Sequence, residues 1–332
     1  MKLKGSVLFS KIKKSLPKNV LFVEEISDVL DISSDAAYRR IKGKTLLTFE
    51  EGIELAKFYN ISLNELYELK SDNFLMVRNN SYESTVNSLV QFYKDFSSYT
   101  KTFFKYKDVT VIYSAKDIPL YHFSTDSLYW KFRIYVLFNF LYKDDKDRVS
   151  FKDFKLKTSL VEVVDEFKSN FKKTNIIDLW EDTTINSSLY QVFYFFKTKL
   201  IQKEEAIQLC EDILNVVNEI EKSTANSYFN TENKGGFELY YSKLLNLNHT
   251  IFYKTKGRKA LLVPYGSLSH MKIEDETVCN DVDLFLKRQL KFSEKISGDT
   301  NEVNRKLFFT SMYEKIKELK VEIKSRTMMS FK

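Results

Sequence analysis

The sequence predicts a mainly α-helical protein with one small antiparallel β-sheet near residues 237–263. The chain has 8 glycines and 3 prolines among 332 residues, whereas average usage would give about 40. No glycine occurs between Gly52 and Gly235, and Pro119 is the only proline in that stretch. Turn-dense all-β folds and glycine-rich nucleotide-binding folds need more of these residues, so we expect long helices with polar connections.

Composition also limits the class of protein. The net charge of +7, from 52 basic and 45 acidic residues, permits a nucleic-acid partner without demanding one. Two cysteines, Cys210 and Cys279, cannot form a disulfide framework, which favours a reducing cytoplasm. The most apolar stretch, 128–142, is too short and too charged to cross a membrane. We therefore expect a cytoplasmic protein with no signal peptide and no membrane partner.

Residues 1–72 form the first predicted domain, a bundle of five short helices. Apolar residues at helical spacing predict helices at 6–16, 23–30 and 34–41. The fourth helix is predicted to begin with a capping box. In this motif the Thr48 side chain accepts a hydrogen bond from the Glu51 amide, and the Glu51 side chain accepts one from the Thr48 amide. A second capping box, Ser62 to Glu65, predicts a short fifth helix.

The second and third helices have the spacing of a helix-turn-helix. Asp31 occupies the turn position, where a left-handed backbone is needed and aspartate tolerates it better than most residues. At 100° per residue, one face of the third helix carries Asp35, Tyr38, Arg39 and Lys42, while Ala37 and Ile41 turn toward the core. Such a mixed basic and aromatic face suits insertion into the major groove of DNA.

Residues 26–66, ISDVLDISSDAAYRRIKGKTLLTFEEGIELAKFYNISLNEL, resemble the XRE family of bacterial and phage regulators, also called lambda-repressor-like or Cro/CI-type. The resemblance lies in the helix-turn-helix, in Ser33 before the third helix, in Gly43 after it and in the closing ISLNEL. It implies a five-helix domain that binds a palindromic DNA operator as a dimer. Ser34, Asp35, Tyr38 and Arg39 match base-contact positions, and Lys42 and Lys44 match backbone-contact positions.

Lys11 and Arg40 are two further basic residues of this domain. Lys11, on the outside of the first helix, is a third candidate for contact with the DNA backbone. Arg40 lies on the core side of the third helix, where the family often has an aliphatic residue. We expect Arg40 either to extend its charged end to solvent or to pair with a carboxylate.

Residues 73–234 are predicted to form a helical regulatory or dimerisation region, and residues 235–332 a small α+β region packed on it. The predicted helices lie at 82–103, 126–142, 158–172, 185–200, 204–222, 277–292 and 301–320, and the predicted strands at 237–245, 250–254 and 260–263. The stripe through Cys210 in the helix at 204–222 packs inside this region or forms a dimer seam.

Catalysis is not predicted. His122, His249 and His270 lack the spacing of a metal site and are expected to be surface residues or hydrogen-bonded core residues. Cys210 is expected to be a buried inert thiol, and no histidine is near Cys279 in sequence to activate it. The run at 144–147, DDKD, lacks the glycine and closing glutamate of a calcium loop. We predict no metal and no cofactor.

These observations predict a dimeric, sequence-specific transcriptional regulator in the bacterial cytoplasm, associated with the nucleoid and with double-stranded DNA. Its long C-terminal region would sense an unknown small-molecule or peptide effector or a partner protein. One alternative is a protein-interaction module whose helix-turn-helix does not bind DNA. Another is a peptide-sensing regulator built of helical repeats, although no 34-residue period supports repeats. An enzyme is the least favoured of these interpretations.

Overall fold

The computed structural model describes residues 5–17, 20–63, 77–78, 86–141, 149–229, 235–244, 247–266 and 269–326. It divides the chain into two compact units, Met1–Leu75 and Met76–Lys332. Each unit has a hydrophobic core of its own. The candidate DNA-binding helix lies in the first unit, and the predicted sensing region lies in the second.

The first unit contains four described helices. They are α1 (Gly5–Ser15), α2 (Phe22–Val29), α3 (Ser34–Ile41) and α4 (Phe49–Phe58). Their apolar faces meet in a small core, in which Leu8, Ile12, Ile26, Ala37 and Leu55 are each at most 2% exposed. The four helices are confirmed, whereas most of the predicted fifth helix and Glu65 of its capping box lie outside the described residues.

The second unit is built on an eight-stranded mixed sheet, so the predicted fold class is wrong. The strands are β1 (Val77–Arg78), β2 (Thr110–Ser114), β3 (Asn175–Trp180), β4 (Phe237–Tyr241), β5 (Thr250–Lys254), β6 (Lys259–Gly266), β7 (Ser269–Ile273) and β8 (Glu294–Lys295), in the order β1-β7-β6-β5-β2-β3-β4-β8. β2, β3 and β4 are parallel, and the remaining pairs are antiparallel. The unit is therefore α/β, not mainly α with a small antiparallel sheet.

The error has a physical reason. β2 and β3 lie in the stretch that was predicted to be entirely helical, and they have only 5 and 6 residues. Parallel strands buried on both faces are short apolar runs without alternation, and periodicity alone does not separate such runs from buried helical segments. The scarcity of glycine was also misleading, because the connections between these strands are helices and polar loops.

Seven described helices surround the sheet: α5 (Val86–Phe104), α6 (Leu128–Leu141), α7 (Thr158–Lys172), α8 (Asn186–Lys197), α9 (Lys203–Asn226), α10 (Glu276–Phe292) and α11 (Glu302–Ser325). All were predicted within a few residues. One core cluster joins the sheet to α5–α9 and α11, and a second joins the sheet to α10. Because the neighbours Val111 and Ile112 on β2 belong to different clusters, helices cover both faces of the sheet.

The stripe on α9 is part of the main core. Ala206, Cys210, Ile213, Val217 and Ile220 are each at most 1% exposed, and α9 packs along α11. Packing inside the unit is thereby confirmed, and these residues are not a dimer seam. Among the described helices, none combines the length and the apolar character needed to cross a membrane.

Candidate nucleic-acid interface

The turn between α2 and α3 has the backbone that the sequence predicted. Asp31 has a φ of +50°, in the left-handed region. The Ile32 amide donates to the Ser27 carbonyl over 3.1 Å and closes the turn. Ser33 then caps α3, because its side-chain oxygen accepts from the Ala36 amide at 3.3 Å. Gly43, with a φ of +69°, follows the end of α3, where a side chain would be strained.

Arg40 fixes α3 to α4. Its Nε lies 2.9 Å from both carboxylate oxygens of Glu51, its Nη2 lies 2.7 Å from Oε1, and the two side chains are only 17% and 16% exposed. Glu51 also accepts a hydrogen bond from the backbone amide of Thr48 at 3.0 Å, in the predicted capping box. Hydrogen bonding between the partners raises the pKa of Arg40 and lowers the pKa of Glu51. Of the two expectations for Arg40, pairing with a carboxylate is the one observed.

The opposite face of α3 is open to solvent. Ser34, Asp35, Tyr38 and Arg39 are all exposed, and Tyr38 keeps 42% of its surface. Arg39 Nη2 pairs with Asp35 Oδ2 at 2.6 Å, with side chains 58% and 69% exposed. The ammonium groups of Lys42 and Lys44 lie 5.8 and 5.9 Å from the Tyr38 ring centroid. Six of the seven predicted contact residues thus lie exposed on α3 or within three residues of its end, and the seventh, Lys11, is exposed on α1.

The chemistry of this surface suits a DNA groove. An exposed ion pair such as Arg39–Asp35 is worth at most about 1 kcal/mol, so Arg39 can exchange the carboxylate for a base edge at little cost. A guanidinium fork binds guanine O6 and N7, and a released carboxylate accepts from cytosine N4. The lysines near Tyr38 supply positive charge for phosphates.

A second polar cluster lies in the other unit, beneath the helices that cover β3. Asp178 of β3 is fully buried and accepts hydrogen bonds from the Tyr121 hydroxyl and from His122 Nε2, the latter at 2.9 Å. Burial lowers the pKa of His122, although the hydrogen bond with Asp178 acts in the opposite direction. Sequence reasoning missed Asp178 and Tyr121. The one available signal was a single aspartate inside the apolar run NIIDLW.

The other two histidines are partly buried and contact neighbouring side chains. His249 Nε2 lies 3.3 Å from the Tyr113 hydroxyl, and His249 Nδ1 accepts a hydrogen bond from the Lys116 amide at 3.2 Å. The His270 ring packs against both Phe92 and Phe96, with centroids 5.5 and 5.2 Å away, and burial lowers its pKa to about 4.

Both cysteines are buried, and burial raises the pKa of each thiol to about 11. Within the described ranges, no group of three or more His, Cys, Asp or Glu side chains is placed to hold a metal ion. The run at 144–147 lies outside the described residues.

The chain matches no protein-family model, no curated protein and no solved structure.

Proposed function

We propose that the protein is a sequence-specific transcriptional regulator of the XRE type, which places α3 in the major groove of double-stranded DNA. The observation that carries this proposal is the exposed face of α3. Arg39 would read guanine, Asp35 would accept from cytosine, Tyr38 would pack on a thymine methyl, and Ser34 would reach a base edge or phosphate near the helix start. Lys11, Lys42 and Lys44 would contact the DNA backbone.

The local scaffold supports the same proposal. A recognition helix has to hold its side chains in a fixed register against the base pairs. Here the Ser33 cap sets the start of α3, and the Arg40–Glu51 pair fixes its inner side to α4. In the XRE family such a domain binds as a homodimer, so we propose a palindromic operator with half-sites about 10 bp apart.

The second unit would act as the regulatory part of this protein. It comprises Met76–Lys332, which exceeds what dimerisation alone requires. A ligand or partner that binds one arrangement of the dimer better than another would change its affinity for DNA. The proposed place of action is the nucleoid in a bacterial cytoplasm.

The test is selection of bound sequences from random duplex DNA with the full-length protein. We expect a palindromic motif, and we expect Arg39→Ala to lose about tenfold or more in affinity and to relax the preference at one position of each half-site. Lys57→Ala, which removes a positive charge from the exposed side of α4, is the matched control and should keep the motif. No enriched motif at low salt would contradict sequence-specific binding.

A second candidate function, a protein-interaction module, is favoured by one observation. Leu46 and Phe49, three residues apart at the start of α4, are 74% and 65% exposed, and neighbouring exposed apolar side chains are typical of protein interfaces. The dependence of binding on salt concentration distinguishes the two functions. DNA binding weakens steeply as salt rises, whereas apolar contact between proteins does not.

A further inference from the structure

A cavity of about 450 Å³ opens beside the buried Tyr121–His122–Asp178 cluster of the second unit. It lies between α7 and α9, and the short turn Leu120–His122 contributes to its wall. Its volume is within the range of small-molecule sites, about 300–1,000 Å³. Tyr121, Phe229, Val216 and Ile220 give the cavity an apolar part that can cover an uncharged side group.

The α7 wall of the cavity is positively charged. Lys168 and Lys172 are one helical turn apart on it. Lys168 is 9% exposed and is neutralised by Asp165, whose Oδ1 lies 3.0 Å from its ammonium. Lys172 has no hydrogen-bond or ion-pair partner among the described residues, and burial together with Lys168 lowers its pKa. A partly buried ammonium without a partner favours the arrival of an anion.

The α9 wall carries the opposite charge. Asp212 and Glu219 are two helical turns apart and both line the cavity, with the amide of Asn215 between them. One carboxylate oxygen of Asp212 accepts a hydrogen bond from the Tyr129 amide at 3.0 Å, and the other oxygen has no partner within the described part of the chain. Glu219 pairs at the surface with Lys222 at 2.7 Å. A free carboxylate oxygen on this wall favours an ammonium group.

His122 adds a fixed acceptor to the same cavity. Its Nε2 is bound to the Asp178 carboxylate, and its side chain is 2% exposed. In the neutral ring, a proton on Nε2 leaves Nδ1 as an acceptor, and Nδ1 has no partner among the residues that the structure describes. The imidazole can therefore receive a hydrogen bond from a ligand amine without gaining a proton.

We propose that this cavity binds a zwitterionic α-amino acid with a large apolar side group. The ligand carboxylate would meet Lys172, its ammonium would meet Asp212 and His122, and its side group would pack on Phe229 and Tyr121. A simple anion is disfavoured because Asp212 and Glu219 repel it, and a simple amine is disfavoured because Lys172 repels it. In the proposed regulator this ligand would be the effector, and that role rests on the proposed function.

The test is isothermal titration of the full-length protein, without DNA, with L-phenylalanine and two analogues of the same ring. The analogues are 3-phenylpropionate, which lacks the amine, and 2-phenylethylamine, which lacks the carboxylate. We expect one L-phenylalanine per chain and at least about tenfold weaker binding of each analogue, because each leaves one partly buried charge of the cavity unpaired. Titrations with L-leucine and L-tyrosine cover side groups of other shapes.

Matched variants locate the site. Lys172→Met should weaken binding at least about tenfold, whereas Lys173→Met, which changes the exposed neighbour, should leave it unchanged. Asp212→Asn keeps an oxygen for the Tyr129 amide and should weaken binding without unfolding, as circular dichroism of each variant checks.

The proposal is overturned if none of the three amino acids binds, if either analogue binds as tightly as L-phenylalanine, or if Lys172→Met binds as the parent does. These titrations contain no DNA, so such a result would refute the amino-acid site alone. The proposed DNA binding is tested separately by the selection experiment with Arg39→Ala.

Discussion

Two neighbouring arginines on α3 have different surroundings, and this difference defines the candidate interface. Arg39 is on the exposed face beside Asp35, with 58% of its side chain accessible, whereas Arg40 is 17% exposed against Glu51. Consecutive residues of a helix point 100° apart, so adjacent residues with the same chemistry can serve different roles. Arg39 is free to contact a partner, and Arg40 stabilises the helix that presents it.

The Arg40–Glu51 pair yields a prediction about stability. Arg40→Met should lower the free energy of unfolding of the first unit by about 1–3 kcal/mol, because Glu51 would keep a largely buried carboxylate without its cation. Arg39→Met removes the same charge from an exposed pair and should cost less than about 1 kcal/mol. Urea denaturation of both variants measures the difference, and equal losses would show that the pair does not fix α3 to α4.

At the scale of elements, local patterns predicted the helices and the candidate interface, while contacts between distant segments were not predictable. Thr48 and Glu51 are three residues apart, so their capping box could be recognised in the sequence. Asp178 and Tyr121 are 57 residues apart and meet only after β3 has entered the sheet. Strands near 237–263 were predicted because β-branched and aromatic residues recur there between polar turns, but their pairing was not, since β4 lies parallel to β3 and only β5 and β6 form the expected antiparallel pair. β2 and β3 are equally rich in such residues, yet they are short runs between long helical patterns, where periodicity does not separate a strand from a buried helix.

One buried carboxylate adds ion pairs to the apolar contacts between α10 and the sheet. Asp283 is 6% exposed and lies 2.8 Å from the ammonium groups of both Lys254 on β5 and Lys259 on β6, with Lys287 at 3.4 Å. Burial alone would raise the pKa of Asp283, but the hydrogen bonds from Lys254 and Lys259 outweigh it and lower the pKa to about 2.

A carboxyl group whose pKa is lower in the folded state stabilises the fold above its unfolded pKa, near 4, and loses that effect as the pH falls toward 2. The shift corresponds to about 2 kcal/mol at neutral pH. We therefore expect Asp283→Asn to be less stable than the parent by about this amount at pH 7, with the difference shrinking between about pH 4 and pH 2. Denaturant titrations across this pH range provide the measurement.

The control for this prediction is Asp281→Asn, which changes an exposed carboxylate on the same helix. Its effect on stability should stay within about 0.5 kcal/mol. A loss for Asp283→Asn that is the same at pH 7 and at pH 2.5 would contradict the electrostatic explanation, since the carboxylate would then contribute only by its shape.

At the scale of the whole molecule, the net charge of +7 is too small to decide the partner. What matters is where the charge lies, because phosphate contacts are made by a few lysines and arginines on one surface. Lys42 and Lys44 follow α3, and Lys11 lies on α1, whereas Glu51 is turned inward to Arg40. The exposed basic residues near α3 therefore supply the charge that a DNA partner would meet.

Salt dependence tests this surface and the number of protomers together. The logarithm of the binding constant falls with the logarithm of salt concentration by about 0.9 for each phosphate contact. In a homodimer on a palindrome, Lys42→Gln removes one contact from each protomer, so the slope should become less steep by about 2, and by only about 1 for a single protomer. Lys57→Gln on α4 is the matched control and should leave the slope unchanged. A slope near zero for the parent protein, with binding to a partner protein that persists at high salt, would instead favour the interaction module.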